Sequence, residues 1–182
     1  NTTIPHAVMT AGANSYTYDC NGNMLTRSGQ SLTFDAENRL VGVTGTPSAS
    51  FTYNGDGARV KSVVGLTTTV FIGEYLEWTG STATMKLYYY AGGKRIAMRS
   101  SEGLLWLIGD HLGSTTVTAD ANGGDAIMQL YKAWGSVRSG PGNGLATRYT
   151  FTGQASENSL GLMFYHARWL DSSLGRFISA DS

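Results

Sequence analysis

The chain has 182 residues, of which 41% are hydrophobic and only 14% charged, with 13 basic side chains balancing 13 acidic ones. A low charge content with just 3 prolines argues against disorder, and zero net charge argues against nucleic acid as a main partner. One cysteine, Cys20, excludes an internal disulfide framework and a Cys-based zinc site, and no run reaches the roughly 18 apolar residues of a membrane span.

The opening residues lack an initiator Met and a basic segment followed by an apolar run. The chain is therefore expected to be a processed product or a fragment. Further along, three segments repeat one another: Tyr18 to Gly22, Phe34 to Leu40 and Tyr53 to Val60. Each opens with an aromatic (Tyr18, Phe34, Tyr53) preceded by a threonine, followed by Asp19, Asp35 or Asn54, and then by Gly22, Asn38 or Gly57 three residues on. The carboxyl or amide can bond the backbone two residues later, and Gly or Asn tolerates the left-handed conformation that closes a hairpin. Each repeat is thus expected to be one β-hairpin, with those residues at its turn and an unpaired Cys20 in the first.

Val60, Ser62 and Val64 alternate with their neighbours as a half-buried strand does. Glu74 and Glu77 invite a glycosidase reading, but three residues apart on a strand places them on opposite faces. Lys86–Ala91 and Lys94–Met98, joined by Gly92 and Gly93, read as a two-residue hairpin. Leu104 to Ile108 is apolar throughout, the mark of a strand covered on both sides. Asp110 and His111 are adjacent, which on a strand turns them to opposite faces; a structural role outweighs an acid–base pair. Asp120 and Gly123 predict a fourth hairpin turn, since the calcium-loop alternative would need an acid where Tyr131 stands. Residues 139–144 form a loop, 148–152 a strand, and 154–158 the only stretch suited to a helical turn. His6, His111 and His166 are too scattered to imply a metal. Eleven aromatic side chains between Tyr88 and Trp169 could form a sugar-stacking surface, although cross-strand packing is the stronger expectation.

Together these elements predict an all-β chain of antiparallel hairpin repeats in a spiralling strip of sheet, with little helix. The repeats resemble the YD repeat of Rhs proteins, teneurins and the C component of bacterial Tc toxins. From Leu104 to Asp181 the chain resembles the Rhs repeat-associated core: Asp110 to Thr115, Asp120 to Gly123, Tyr131 to Gly135, Phe151 to Gln154, Ala167 to Asp171 and Gly175 to Asp181 follow that core's order and spacing. The resemblance divides the chain into YD-repeat hairpins (1–103) and a core-like segment (104–182), continuous as one β unit. It also makes Arg168 and Asp181 the candidates for an aspartyl-type self-cleavage, although the downstream peptide such relatives cleave is absent from this sequence. Read on its own, the pair is an ion-pair anchor for the last turn.

The function expected is that of a non-catalytic scaffold, without cofactor or metal, at the cell surface or outside it. Open strand edges, few charged residues and zero net charge lead to an expectation of stacking into a homo-oligomer or filament. The alternative is a slice of a toxin-enclosing shell with a cargo and a self-cleaving end; a sugar-binding module is the weaker alternative.

Overall fold

The computed structural model describes residues 7–142 and 144–181; His6 lies outside the described residues. After a small hairpin, β1 (Thr10–Ala11) and β2 (Asn14–Ser15), the chain runs through β3 (Thr17–Tyr18), β4 (Met24–Arg27), β5 (Gln30–Phe34), β6 (Leu40–Thr44), β7 (Ala49–Tyr53) and β8 (Arg59–Val64). It continues with β9 (Thr67–Ile72), β10 (Leu76–Trp78), β11 (Lys86–Ala91), β12 (Lys94–Ser100), β13 (Gly103–Gly109), β14 (Thr115–Asp120) and β15 (Ile127–Met128). Strands β3 to β15 form one 13-stranded sheet in which every strand pairs with its neighbours in sequence. All these pairings are antiparallel, so the sheet is a meander of hairpins passing without a break across residue 103. Three smaller elements complete the fold: β1 with β2, the hairpin β16 (Leu130–Tyr131) and β17 (Val137–Ser139), and a four-stranded sheet. The last contains β18 (Ala155–Glu157), β19 (Leu162–Tyr165), β20 (Arg168–Asp171) and β21 (Arg176–Phe177). The all-β architecture is the one the repeats predict.

Strand alternation explains where the core lies. On β5 and β7 the pattern is buried, exposed, buried: Leu32 and Phe51 point inward while Ser31, Thr33, Ser50 and Thr52 face out. Met24, Leu32, Leu40, Val43 and Phe51 pack against Leu160, Leu162, Trp169 and Ile178 of the C-terminal region. At the other end of the sheet, Tyr88, Met98 and Leu107 pack against Tyr149 and Ala155. Phe164 touches both clusters. Both ends of the long sheet thus turn the same face to the C-terminal strands, and the sheet bends around them. A thin sheet has no second layer of its own, so these strands supply the apolar partner that the inner face requires.

Four local expectations need correction. Residues 148–152 are not a strand: Tyr149 makes a single bridge to Ala155, and Phe151–Gly153 is a 3-10 turn with Thr152 at φ +50°. The stretch expected to hold a helical turn instead contains β18, with a 3-10 turn at Asn158–Leu160 after it. Alternation of Tyr149 with Phe151 reflects two rings anchored in different places, not a pleat. Strand β13 is covered on one side only, since Trp106 and Ile108 remain 40% and 51% exposed. Asp110 and His111 lie in the turn between β13 and β14, so the argument from opposite strand faces does not apply to them.

Candidate functional site

Seven turns among the described residues share one backbone pattern. They begin at Asp19, Asp35, Asn54, Asp110, Asp120, Lys132 and Thr150. In each, the first residue's N–H bonds the carbonyl four residues on, and its own carbonyl accepts the N–H three residues on, at 2.8–3.2 Å. The fourth residue has positive φ: Gly22 (+84°), Asn38 (+59°), Gly57 (+79°), Gly113 (+81°), Gly123 (+85°), Gly135 (+88°) and Gly153 (+72°). In the first five, the side-chain Oδ1 also accepts two backbone N–H groups, at 2.7–3.1 Å. Asp120 Oδ1 is therefore engaged by its own turn, at Asn122 and Gly124. No cluster of three or more His, Cys, Asp or Glu suited to a metal occurs among the described residues.

Neighbouring repeats are laced together. Asn21 and Asn23 donate through Nδ2 to Asn38 Oδ1 (3.2 and 2.8 Å). Arg39 pairs with Asp35 at 2.8 Å and lies over the Tyr53 ring, whose hydroxyl donates to the Leu40 carbonyl at 2.8 Å. Trp169 of β20 donates to that same hydroxyl at 3.2 Å. Tyr18 and Phe34 pack against the first core cluster, and the Tyr18 hydroxyl donates to the Val8 carbonyl. Cys20 is an exposed free thiol.

Arg168 and Asp181 meet as an ion pair of 3.4 Å, with Asp181 81% exposed and Arg168 also stacked over Phe177. This pair lies at the surface of the C-terminal sheet. The deeply buried ionic contacts lie elsewhere, and spacing gave no signal of them. Arg27 of β4 reaches Asp171 of β20: Nε and Nη2 each sit 2.8 Å from Oδ2, while Nη1 donates to Gln30 Oε1 and the Leu160 carbonyl. Asp171 Oδ1 accepts the Ser173 N–H (2.9 Å) and hydroxyl (2.5 Å), so a wholly buried carboxylate has all its needs met.

A second cluster sits between the two cores. Glu157 of β18 accepts from Arg59 at 3.0 Å and from Arg148; Arg148 Nε lies 3.9 Å from Glu77, which also accepts from the Tyr88 hydroxyl. Glu77 is buried, whereas Glu74 lies in the turn before β10 and is half exposed, so the two never form a facing carboxylate pair. The Arg59 guanidinium lies within 6 Å of the Phe51, Phe71, Phe164 and Trp169 rings. Burial, followed by the nearby Arg148 charge, brings its pKa down to about 9. Burial, reinforced by Glu77, pushes the Tyr149 hydroxyl up to about 12. Two clefts flank this cluster. One, about 660 Å³, is lined by Ser62, Thr69, Glu77, Arg148 and Ser156. The other, about 920 Å³, is lined by Asp56, Glu74, Tyr149, Phe164 and His166.

The geometry offers many contacts that fix one wall of sheet onto inner strands. It defines a scaffold: a curved wall of hairpins with its C-terminal strands on the concave side. The chain belongs to the teneurin YD-shell family, whose model matches residues 76–182. It is 27% identical over 180 residues to the tRNA3(Ser)-specific nuclease WapA of Bacillus spizizenii, covering 92% of this chain and 8% of that protein. Its fold is similar to a chain in the Photorhabdus luminescens Tc holotoxin pore (TM-score 0.76, 18% identity, 91% of this chain and 9% of that one). It is also similar to the TcdB2-TccC3 crystal structure (TM-score 0.74, 17% identity, 90% and 10%) and to that assembly without its hypervariable C-terminal region (TM-score 0.69, 15% identity, 92% and 12%). The chain thus spans about a tenth of the length of the relatives it matches.

Proposed function

We propose that the chain is a stretch of shell wall together with the strands that line its inner side, a non-catalytic scaffold for a larger cargo-enclosing body. The observation that carries this reading is the placement of β18–β21 on the concave face, held through Arg27 and Asp171. The likeness to Tc toxin shell assemblies supports it, as does the small share of each relative covered. Residues 1–103 supply hairpin repeats and 104–182 the core-like segment of one continuous unit, located outside the cell or at its surface. The test is protease protection: in a longer protein that carries this segment, a downstream cargo should resist digestion until the shell is denatured. Digestion of the cargo at native pH, at the rate of the free polypeptide, would refute enclosure.

Self-cleavage belongs to the same proposal. The Arg168–Asp181 contact of 3.4 Å places a cation beside an exposed carboxylate at the point where the chain leaves the C-terminal sheet. With native downstream sequence present, cleavage should require both; persistence in an Asp181→Asn variant contradicts the assignment.

Edge-to-edge assembly is a second reading, favoured by the terminal strands of the long sheet. Among the described residues, β3 pairs only with β4 and β15 only with β14, which leaves one edge of each available to another strand. Light scattering on the purified chain decides: stacking gives growing particles, whereas a stable monomer at micromolar concentration removes this reading.

A further inference from the structure

The inner face of the long sheet is apolar toward both ends but polar in between. Ser62 of β8 stands in register with Thr69 of β9, and the two are only 2% and 9% exposed. Phe71, two residues beyond Thr69 and so on the same face, stands opposite Glu77 of β10. Glu77 in turn stands opposite Lys86 of β11. Ser62, Thr69, Glu77 and Lys86 all line the cleft of about 660 Å³, together with Arg148 from the C-terminal region.

The polar groups of this cleft are only partly used. Among the described residues, neither the Ser62 nor the Thr69 hydroxyl makes a hydrogen bond. Glu77 accepts the Tyr88 hydroxyl on Oε1 at 3.2 Å, and its Oε2 has no donor among those residues. Lys86, the cation in register with Glu77, donates to the Ala146 carbonyl at 2.7 Å instead. Two hydroxyls and a carboxylate oxygen form a set of acceptors suited to an ammonium group. The cations are under-used in the same way. Arg148 hydrogen-bonds only through Nη2, to Glu157, and its buried Nε has no hydrogen-bond partner among the described residues. The Lys86 ammonium has three N–H groups and one neutral acceptor. These two side chains suit a carboxylate. Buried polar groups left unmet cost free energy that a ligand with matching groups recovers.

We propose that this cleft binds a short peptide in its zwitterionic form. The free N-terminal ammonium would meet Ser62, Thr69 and Glu77, and the C-terminal carboxylate would meet Lys86 and the Arg148 guanidinium. A lone cation would leave the two basic side chains unanswered, and a lone anion would leave Glu77 and the hydroxyls so. Length follows from the sheet. Thr69 and Lys86 lie on β9 and β11, two strand spacings or about 9.5 Å apart. An extended chain spans about 3.3–3.6 Å per residue, so roughly three residues reach across. The site is built by this chain alone, so it goes beyond the enclosing role and does not depend on it.

The test is calorimetric titration of the 182-residue chain with trialanine and with its N-acetyl, C-terminal amide and doubly blocked forms. Trialanine should bind, each singly blocked form at least about tenfold more weakly, and the doubly blocked form not at all. Thr69→Val, which exchanges a hydroxyl for a methyl, should weaken trialanine binding about tenfold. Lys86→Met should bring trialanine down to the affinity of its amide. Arg138→Gln, at an exposed position on β17, should change nothing. Circular dichroism confirms that each variant folds, and Ser62→Ala, with the same expected loss, replaces Thr69→Val if that variant does not. Absence of trialanine binding, equal affinity for the doubly blocked form, or binding indifferent to the substitutions on both sides of the cleft would each overturn the proposal.

Discussion

Arg27 and Asp171, 144 residues apart in sequence, meet at 2.8 Å in the interior, and through them the first hairpins of the wall are tied to the strands inside it. Local propensity forms the hairpins; this contact helps decide what their apolar face covers. Removing one partner strands the other as a buried charge, so Arg27→Met should destabilise the chain by about 3–5 kcal/mol. The double variant Arg27→Met with Asp171→Leu should recover much of that loss, because it buries no charge. Urea denaturation of the three proteins checks both expectations.

Glycines at positive φ divide into two groups. Gly123 has φ +85° with nothing within 4 Å of an added methyl, so Gly123→Ala should cost only backbone strain, about 1–2 kcal/mol. Gly135 has φ +88°, and a methyl there would stand 2.6 Å from the Phe151 ring. Gly135→Ala should therefore cost about 1–3 kcal/mol more than Gly123→Ala, through overpacking. Equal melting temperatures for the two variants would contradict this.

The turn carboxylates serve as acceptors for backbone N–H groups. Asn54 fills the position that aspartates occupy at four other turns, and its Oδ1 makes the same two contacts. Asp110→Asn should accordingly leave stability within about 0.5 kcal/mol, whereas Asp110→Ala should cost about 1–2 kcal/mol. Thermal unfolding of the pair tests whether the charge or the acceptor matters.

Alkaline pH should unfold the chain. Burial raises the hydroxyl pKa of Tyr18, Tyr53, Tyr88, Tyr90, Tyr131 and Tyr149 above 10.0, led by that of Tyr88. The folded state then holds protons that the unfolded state releases, so this stability is full below pH about 10 and is lost as pH rises beyond it. Arg59 acts in the opposite sense above about pH 9, since its proton leaves the folded state first. One arginine opposes six tyrosines, and the tyrosines prevail. Tyrosinate absorbance should rise late and together with the loss of β-sheet circular dichroism; titration of all ten tyrosines near pH 10 with the fold intact would count against it.

The hairpins were legible in the sequence because their determinants are local: an Asp or Asn, then a Gly or Asn three residues on, between alternating runs. The turns at Lys132 and Thr150 have the same backbone without the carboxylate, so only Gly135 and Gly153 hinted at them. A spiralling strip was expected from the repeats, but what its inner face closes on was not legible: that depends on Arg27 with Asp171 and Arg59 with Glu157, pairs 144 and 98 residues apart that follow no period. Arg168 and Asp181 were singled out through family resemblance, and they meet at ion-pair distance at the surface. Three-dimensional register was needed to distinguish Tyr89 and Trp106, on the outer face, from Tyr88 and Tyr149, in the core.

Electron cryo-microscopy of a longer protein carrying this segment tests the central claim most directly. The account predicts a hollow shell, with β3–β15 as part of its wall and β18–β21 against the inner surface, joined through Arg27 and Asp171. A body without a lumen, or one with β18–β21 on the outer surface, would contradict it.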